Sequence, residues 1–114
     1  MVTARFNHEE EAWTMSIRGH ASFADLGKDP VCAGASVLAM TVAQCVQLMY
    51  SQGKLQKKPH ITIRGGRVDV TAKPKEEYEG ECRHTFFVGE VGMTLLAESY
   101  PENVMILRNS PRKT

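Results

Sequence analysis

Two residues of this chain have the types and spacing for nucleophilic chemistry. His20 stands in Gly19-His20-Ala21, and Cys32 stands in Gly27-Lys28-Asp29-Pro30-Val31-Cys32-Ala33. Asp29 has the side chain of an N-cap, accepting from backbone N–H groups two or three residues on, and Pro30 suits the first helical position, where its missing N–H costs nothing. Cys32 then falls at the third position of a helix. There the unpaired N–H groups and the helix dipole favour an anion, the form in which a thiol attacks, and a nearby imidazole strengthens the effect. The plainer reading makes Cys32 a small core residue.

The neighbours of this pair have readable roles. Ser36 lies one turn beyond Cys32, where its hydroxyl either hydrogen-bonds the site or satisfies itself on the carbonyl four residues back. Backbone N–H groups near Ala33 are placed to stabilise an oxyanion. Asp29 reads as a cap before it reads as a third catalytic group, since orienting an imidazole requires reaching it. The segment 21–28, with Ala21, Ser22, Phe23 and Gly27, joins the two residues and is expected to be a mobile substrate loop, Gly27 serving as a hinge and Phe23 as an anchor.

These residues need elements to hold them. Val2, Ala4 and Phe6 alternate with Thr3, Arg5 and Asn7, which predicts a strand before an acidic turn, His8 to Glu11. Trp13, Met15 and Ile17 alternate with Thr14, Ser16 and Arg18 in a second strand, so His20 continues its polar side. A long uncharged helix is expected from Pro30 to Ser51, ended by Gly53. Ile61–Arg64 and Arg67–Ala72 flank Gly65-Gly66 as a hairpin. Lys73 to Glu81 reads as a charged loop. A second helix is expected from about Glu81 to Ser99, with Arg83, Glu90, Thr94 and Glu98 polar and Phe87, Val91 and Leu95 apolar. Tyr100-Pro101 stops it, and Val104 to Leu107 is a last strand. The order is ββαββαβ, an α+β single domain over residues 1–109, with 110–114 a flexible basic tail.

Composition narrows the partners. The 114 residues fit one domain, too short to carry a separate substrate-binding domain, so a second subunit can be needed to complete a site. With 14 basic and 13 acidic residues, nothing in the total charge suggests electrostatic binding to nucleic acid. Cys32, Cys45 and Cys82 are odd in number and lack C-x-x-C spacing, which points away from a disulfide framework and toward the reducing cytoplasm. From Pro30 to Gly53 no residue is charged, a length able to span a bilayer. Its glutamines, serines, alanines and glycines suit instead a helix buried in a protein or dimer. Cys82-Arg83-His84 lacks a second ligand pair, so neither metal nor cofactor is expected.

The pattern Gly19-His20-Ala21, a short loop, Gly27-Lys28-Asp29-x-Val31-Cys32-Ala33 and Ser36 one turn on resembles the ribosomal-processing cysteine protease family of bacteria. The likeness extends to the glycine hairpin, the second helix and Tyr100-Pro101-Glu102. Pro30 departs from it, standing where the family usually has an aliphatic residue. The resemblance implies a His20–Cys32 dyad, supporting positions at Asp29 and Ser36, a homodimer, and removal of an N-terminal extension from large-subunit ribosomal protein twenty-seven. Two rivals carry different expectations: a homodimeric peptide-binding module without catalysis, and a thiol hydrolase acting on another protein.

Overall fold

A computed structural model describes residues 1–19 and 30–108. Strands β1 (Val2–Glu9) and β2 (Ala12–Arg18) precede helix α1 (Pro30–Ser51), and strands β3 (His60–Arg64) and β4 (Arg67–Ala72) precede helix α2 (Glu79–Ser99) and strand β5 (Val104–Arg108). The order is the expected ββαββαβ. All five strands form one sheet, β3-β4-β2-β1-β5, antiparallel except for the β1–β5 pair.

Strand alternation decides which face is covered. Val2, Ala4, Phe6, Met15, Ile17, Val68, Val70, Ala72 and Val104 point to one side and are buried beneath the helices. Full burial of a side chain such as Met15 or Ile17 contributes about 1.5–3 kcal/mol. α1 packs over β4, and α2 over β5, β2 and β1. The alanines of α1 at 35, 39 and 43 are buried and bring its backbone close to its neighbours. α1 is long and apolar enough to cross a bilayer, yet here one side of it, from Val31 through Ala35, Ala39, Val42 and Val46 to Met49, is buried in the core, while Val37, Met40 and Leu48 are exposed.

The turns differ from the sequence expectation in detail. β1 continues through His8 and Glu9, because both pair with β2, and the acidic turn contracts to Glu10 and Glu11. Both take left-handed backbone, φ 50° and 69°, the conformation that a two-residue hairpin of matching twist demands. In the Gly65-Gly66 turn only Gly66 has positive φ, so this hairpin is not of the mirror-image type that two-residue loops favour. Gly53, at φ 74°, ends α1 with two bonds: its N–H donates to the Tyr50 carbonyl, and the Lys54 N–H to that of Met49. That is the paired capping arrangement a left-handed glycine permits.

α2 begins two residues earlier than expected and follows a single 3-10 turn, Glu76–Tyr78, inside the stretch read as a loop. Its faces are also rotated from the expectation. Cys82, Phe86, Gly89, Glu90 and Met93 are buried, whereas Phe87, Val91 and Leu95 are exposed. The helix has two apolar sides, and the core takes the one built partly from small residues. Glu90, read as polar surface, is buried because Arg108 on β5 reaches it, with Nε donating to Oε2 at 2.6 Å.

Candidate active site

The exit of β2 and the start of α1 share one end of the sheet. β2 runs toward Arg18 and Gly19, and the Gly19 N–H donates to the Gly66 carbonyl at 2.9 Å, tying the strand's exit to the β3–β4 hairpin. α1 starts at this end. Its other end is fixed far away, where Leu55 bridges Pro74 beyond β4, and Gln56 Nε2 donates to Glu11 and to the Pro74 carbonyl. Cys32, in the first turn of α1, therefore lies at the end of the sheet where β2 delivers the chain toward position 20. His20, Asp29 and the loop residues Ala21, Ser22, Phe23 and Gly27 lie outside the described residues, as does the tail 110–114.

The packing of α2 against α1 sets where Cys32 sits. A Cβ on Gly34 would lie 3.3 Å from Leu96, one on Gly92 2.5 Å from Leu38, and one on Gly89 2.6 Å from Val42. As α1 positions rise from 34 to 42, α2 positions fall from 96 to 89, so the helices are antiparallel and in close contact. Sequence reasoning weighed small residues only in α1. The i, i+3 spacing of Gly89 and Gly92 was the available signal that α2 approaches as closely.

The three thiols have distinct environments. Cys82 is fully buried in the apolar core, and burial, followed by the charges of Glu79 and Glu81, pushes its thiol up to about 12. Such a group is inert at neutral pH. Cys45 is half-buried in the middle of α1. Cys32 is 2% exposed, buried beside Val31 at the start of α1, and among the described residues it is the one thiol in the first turn of a helix.

Around Cys32, Ala33 and Gly34 are half-buried, and the Ser36 hydroxyl oxygen is buried with no hydrogen-bond partner. Of the two roles open to Ser36, the bond to its own i−4 carbonyl is not the one formed; Thr41, by contrast, does make that bond, to Val37 at 2.6 Å. A buried hydroxyl without a partner is costly, by about 1–3 kcal/mol, and one turn from the thiol it is available to a bound group. No cluster of three or more His, Cys, Asp or Glu able to hold a metal occurs among the described residues. Cys82 and His84 do not form half a site, since the first is buried in the core and the second exposed.

A thiol at a helix start, a strand exit pinned two elements away and an unpaired hydroxyl together suit acyl transfer to sulfur. Comparison with known proteins points the same way. The family model described as cysteine protease Prp matches residues 1–105. The fold is similar to that of an essential ribosomal processing protease Prp from S. aureus in complex with a covalently linked product peptide, with a TM-score of 0.68 and 22% identity over 96% of this chain and 100% of that one. The same protease in complex with a substrate peptide gives a TM-score of 0.68 and 21% identity, with the same coverage. SMU.848 from Streptococcus mutans gives 0.64 and 23%, over 96% of each chain. Comparison with curated proteins gave no match.

Proposed function

The chain belongs to the cysteine protease Prp family, and from that premise we propose that it is an endopeptidase that removes a short N-terminal extension from large-subunit ribosomal protein twenty-seven. The observation that carries this reading is the position of Cys32, in the first turn of α1 and one turn from the buried Ser36 hydroxyl that has no hydrogen-bond partner. The S. aureus relatives, which hold a substrate peptide and a covalently linked product peptide, support a peptide as the substrate class.

In the proposed mechanism His20 accepts the Cys32 proton, and the thiolate attacks the scissile carbonyl. The tetrahedral oxyanion is met by N–H groups of the first helical turn around Ala33. Collapse of this intermediate breaks the C–N bond while His20 returns its proton to the leaving amine, and water then hydrolyses the thioester. Ser36 supplies its unpaired hydroxyl to the bound peptide or to the dyad, and Asp29 caps the helix that holds the thiol. Segment 21–28 closes over an extended peptide.

A homodimer is part of the proposal. The outward apolar stripe of α2, Phe87, Val91 and Leu95, borders a groove of about 460 Å³ that also takes in Thr94, Glu98 and Arg108. A second copy covering it would remove from water a surface that a monomer leaves exposed.

The test is incubation with a peptide spanning the extension and first mature residues of the host's ribosomal protein twenty-seven, beside Cys32→Ala, with products read by mass spectrometry. One defined cut, absent from the variant, is expected. A folded wild-type protein that leaves the peptide intact, but holds it as tightly as the variant does, would overturn catalysis in favour of a peptide-binding module.

A further inference from the structure

The face of the sheet turned away from the helices is a grid whose rows follow from the strand register. The row at the active-site end reads Thr3, Arg18, Arg67, Arg64 across β1, β2, β4 and β3. The next reads Arg5, Ser16, Asp69, Thr62, and the third Asn7, Thr14, Thr71, His60. No described element covers this face. Four of the chain's 14 basic residues, but only one of its 13 acidic residues, lie in these three rows. Glu9 is the other acid on this side, and it sits at the opposite end.

Three arginines stand side by side in the first row, as direct cross-strand partners. Like charges placed so are destabilising, and a sheet selected for stability alone separates them. Asp69 offsets part of the cost. It accepts from Ser16 at 2.6 Å, pairs with Arg67, and lies 4.0 Å from the Arg18 guanidinium. Arg64 has no carboxylate partner among the described residues and is exposed. With strands about 4.8 Å apart, the row holds three forked donors within about 10 Å, a spacing that serves neighbouring phosphates. Hydroxyls of Thr3, Ser16, Thr14, Thr62 and Thr71 stand beside them with Arg5, Asn7 and His60, and Met105 and Leu107 of β5 close the side away from the arginines.

We propose that this face binds the sugar-phosphate backbone of paired RNA through Arg18, Arg67 and Arg64. RNA fits better than an acidic polypeptide because the described side chains of the arginine half, Arg18, Ser16, Arg67, Asp69, Arg64 and Thr62, include none of the aromatic or aliphatic anchors that dominate protein–protein binding. It also fits better than DNA. Among the described residues no helix or ribbon projects from the face to enter a major groove, whereas the wide, shallow minor groove of A-form RNA offers 2′-hydroxyls and phosphates to a hydroxyl-rich surface. The near-neutral total charge is an average over this basic face and a more acidic remainder.

Fluorescence anisotropy with a fluorescein-labelled RNA hairpin of fully paired stem tests the proposal on the full chain. The expected result is binding in the micromolar range at about 50 mM salt, weakening steeply as salt rises. Arg18/Arg64/Arg67→Gln is expected to reduce the slope of log affinity against log salt by about 2.7. Arg64→Glu, which breaks no ion pair and so spares folding, is expected to weaken binding by about tenfold. Absence of binding to wild type, or unchanged binding by Arg64→Glu, would overturn the proposal. So would a DNA hairpin or polyglutamate of matched charge that binds as tightly as the RNA.

Discussion

Gly89→Ala is the substitution whose effect the helix packing fixes most closely. Its new methyl would lie 2.6 Å from Val42 Cγ2 and 3.9 Å from Met15 Sδ, in a buried setting. Carbon atoms pack best at about 3.5–4.0 Å, so something must yield by about 1 Å. Val42 is β-branched, held to one rotamer in a helix and itself buried, which leaves movement of α1 as the available response. Overpacking of this kind costs about 1–3 kcal/mol, and alanine's helix propensity returns about 1 kcal/mol. The net expectation is a loss of about 1 kcal/mol, seen as a melting temperature lowered by about 4 °C.

Because α1 carries Cys32, the shift has a second readout. Misplacement by about 1 Å can cost on the order of 100-fold in rate, and kcat/KM on the proposed peptide should fall by about tenfold or more. Gly92→Ala supplies the contrast. Its methyl would lie 2.5 Å from Leu38 Cδ2, the free end of a flexible, half-buried side chain that can turn away. Urea denaturation and peptide cleavage, run on both variants, should show Gly92→Ala near wild type. In the pair Gly89→Ala with Val42→Ala, the added methyl occupies the space that Val42 vacates, and a favourable coupling of about 1 kcal/mol is expected. A Gly89→Ala protein as stable and active as wild type, with Gly92→Ala the impaired one, would refute this account of how α1 is positioned.

Cys82, with its thiol pushed up to about 12 from a usual 9.0, should alkylate about a thousandfold more slowly at pH 8 than an ordinary thiol, which mass mapping after iodoacetamide treatment would measure. Its raised value stabilises the fold fully below about pH 9 and loses that contribution as pH climbs toward about 12, so the urea midpoint of wild type should fall more steeply over that range than that of Cys82→Ala. Replacing Glu10-Glu11 by Asn-Gly relieves left-handed backbone at two non-glycine residues and should stabilise by about 1–2 kcal/mol in thermal melts, with cleavage unchanged. Val91→Glu with Leu95→Lys should convert a dimer to a monomer in analytical ultracentrifugation while the fold persists, because both residues are exposed in the single chain.

The parts of the fold that sequence revealed were those governed by short-range periodicity. Met15 and Ile17, the bounds of α1 and the sharp stop at Tyr100 follow from alternation, charge depletion and a proline. The faces of α2 do not, since Phe87, Val91 and Leu95 form as regular a stripe as Phe86, Gly89 and Met93. Only the sheet and α1 decide which of the two is buried, and they choose the side where glycines allow close approach. Glu90 was misread for a related reason, its guanidinium partner lying on a strand that pairs from the far end of the chain. At the site, the helix-start position of Cys32 was legible in Pro30 and its neighbours. The unpaired hydroxyl of Ser36 was not, because a bond to the carbonyl four residues back and no bond at all leave the same local pattern. Net charge likewise gave no sign of the arginine row, which exists only once β2, β3 and β4 align Arg18, Arg64 and Arg67.

The parallel pairing of β5 with β1 has a consequence for synthesis. Val2 through Phe6 meet Val104 through Arg108 residue by residue, so this edge of β1 stays open until synthesis has passed Arg108, about a hundred residues after β1 itself. The helix that carries Cys32 is made long before the sheet beneath it is complete. A polypeptide cut short before β5 keeps an unpaired edge of the kind that chaperones and quality-control proteases act upon.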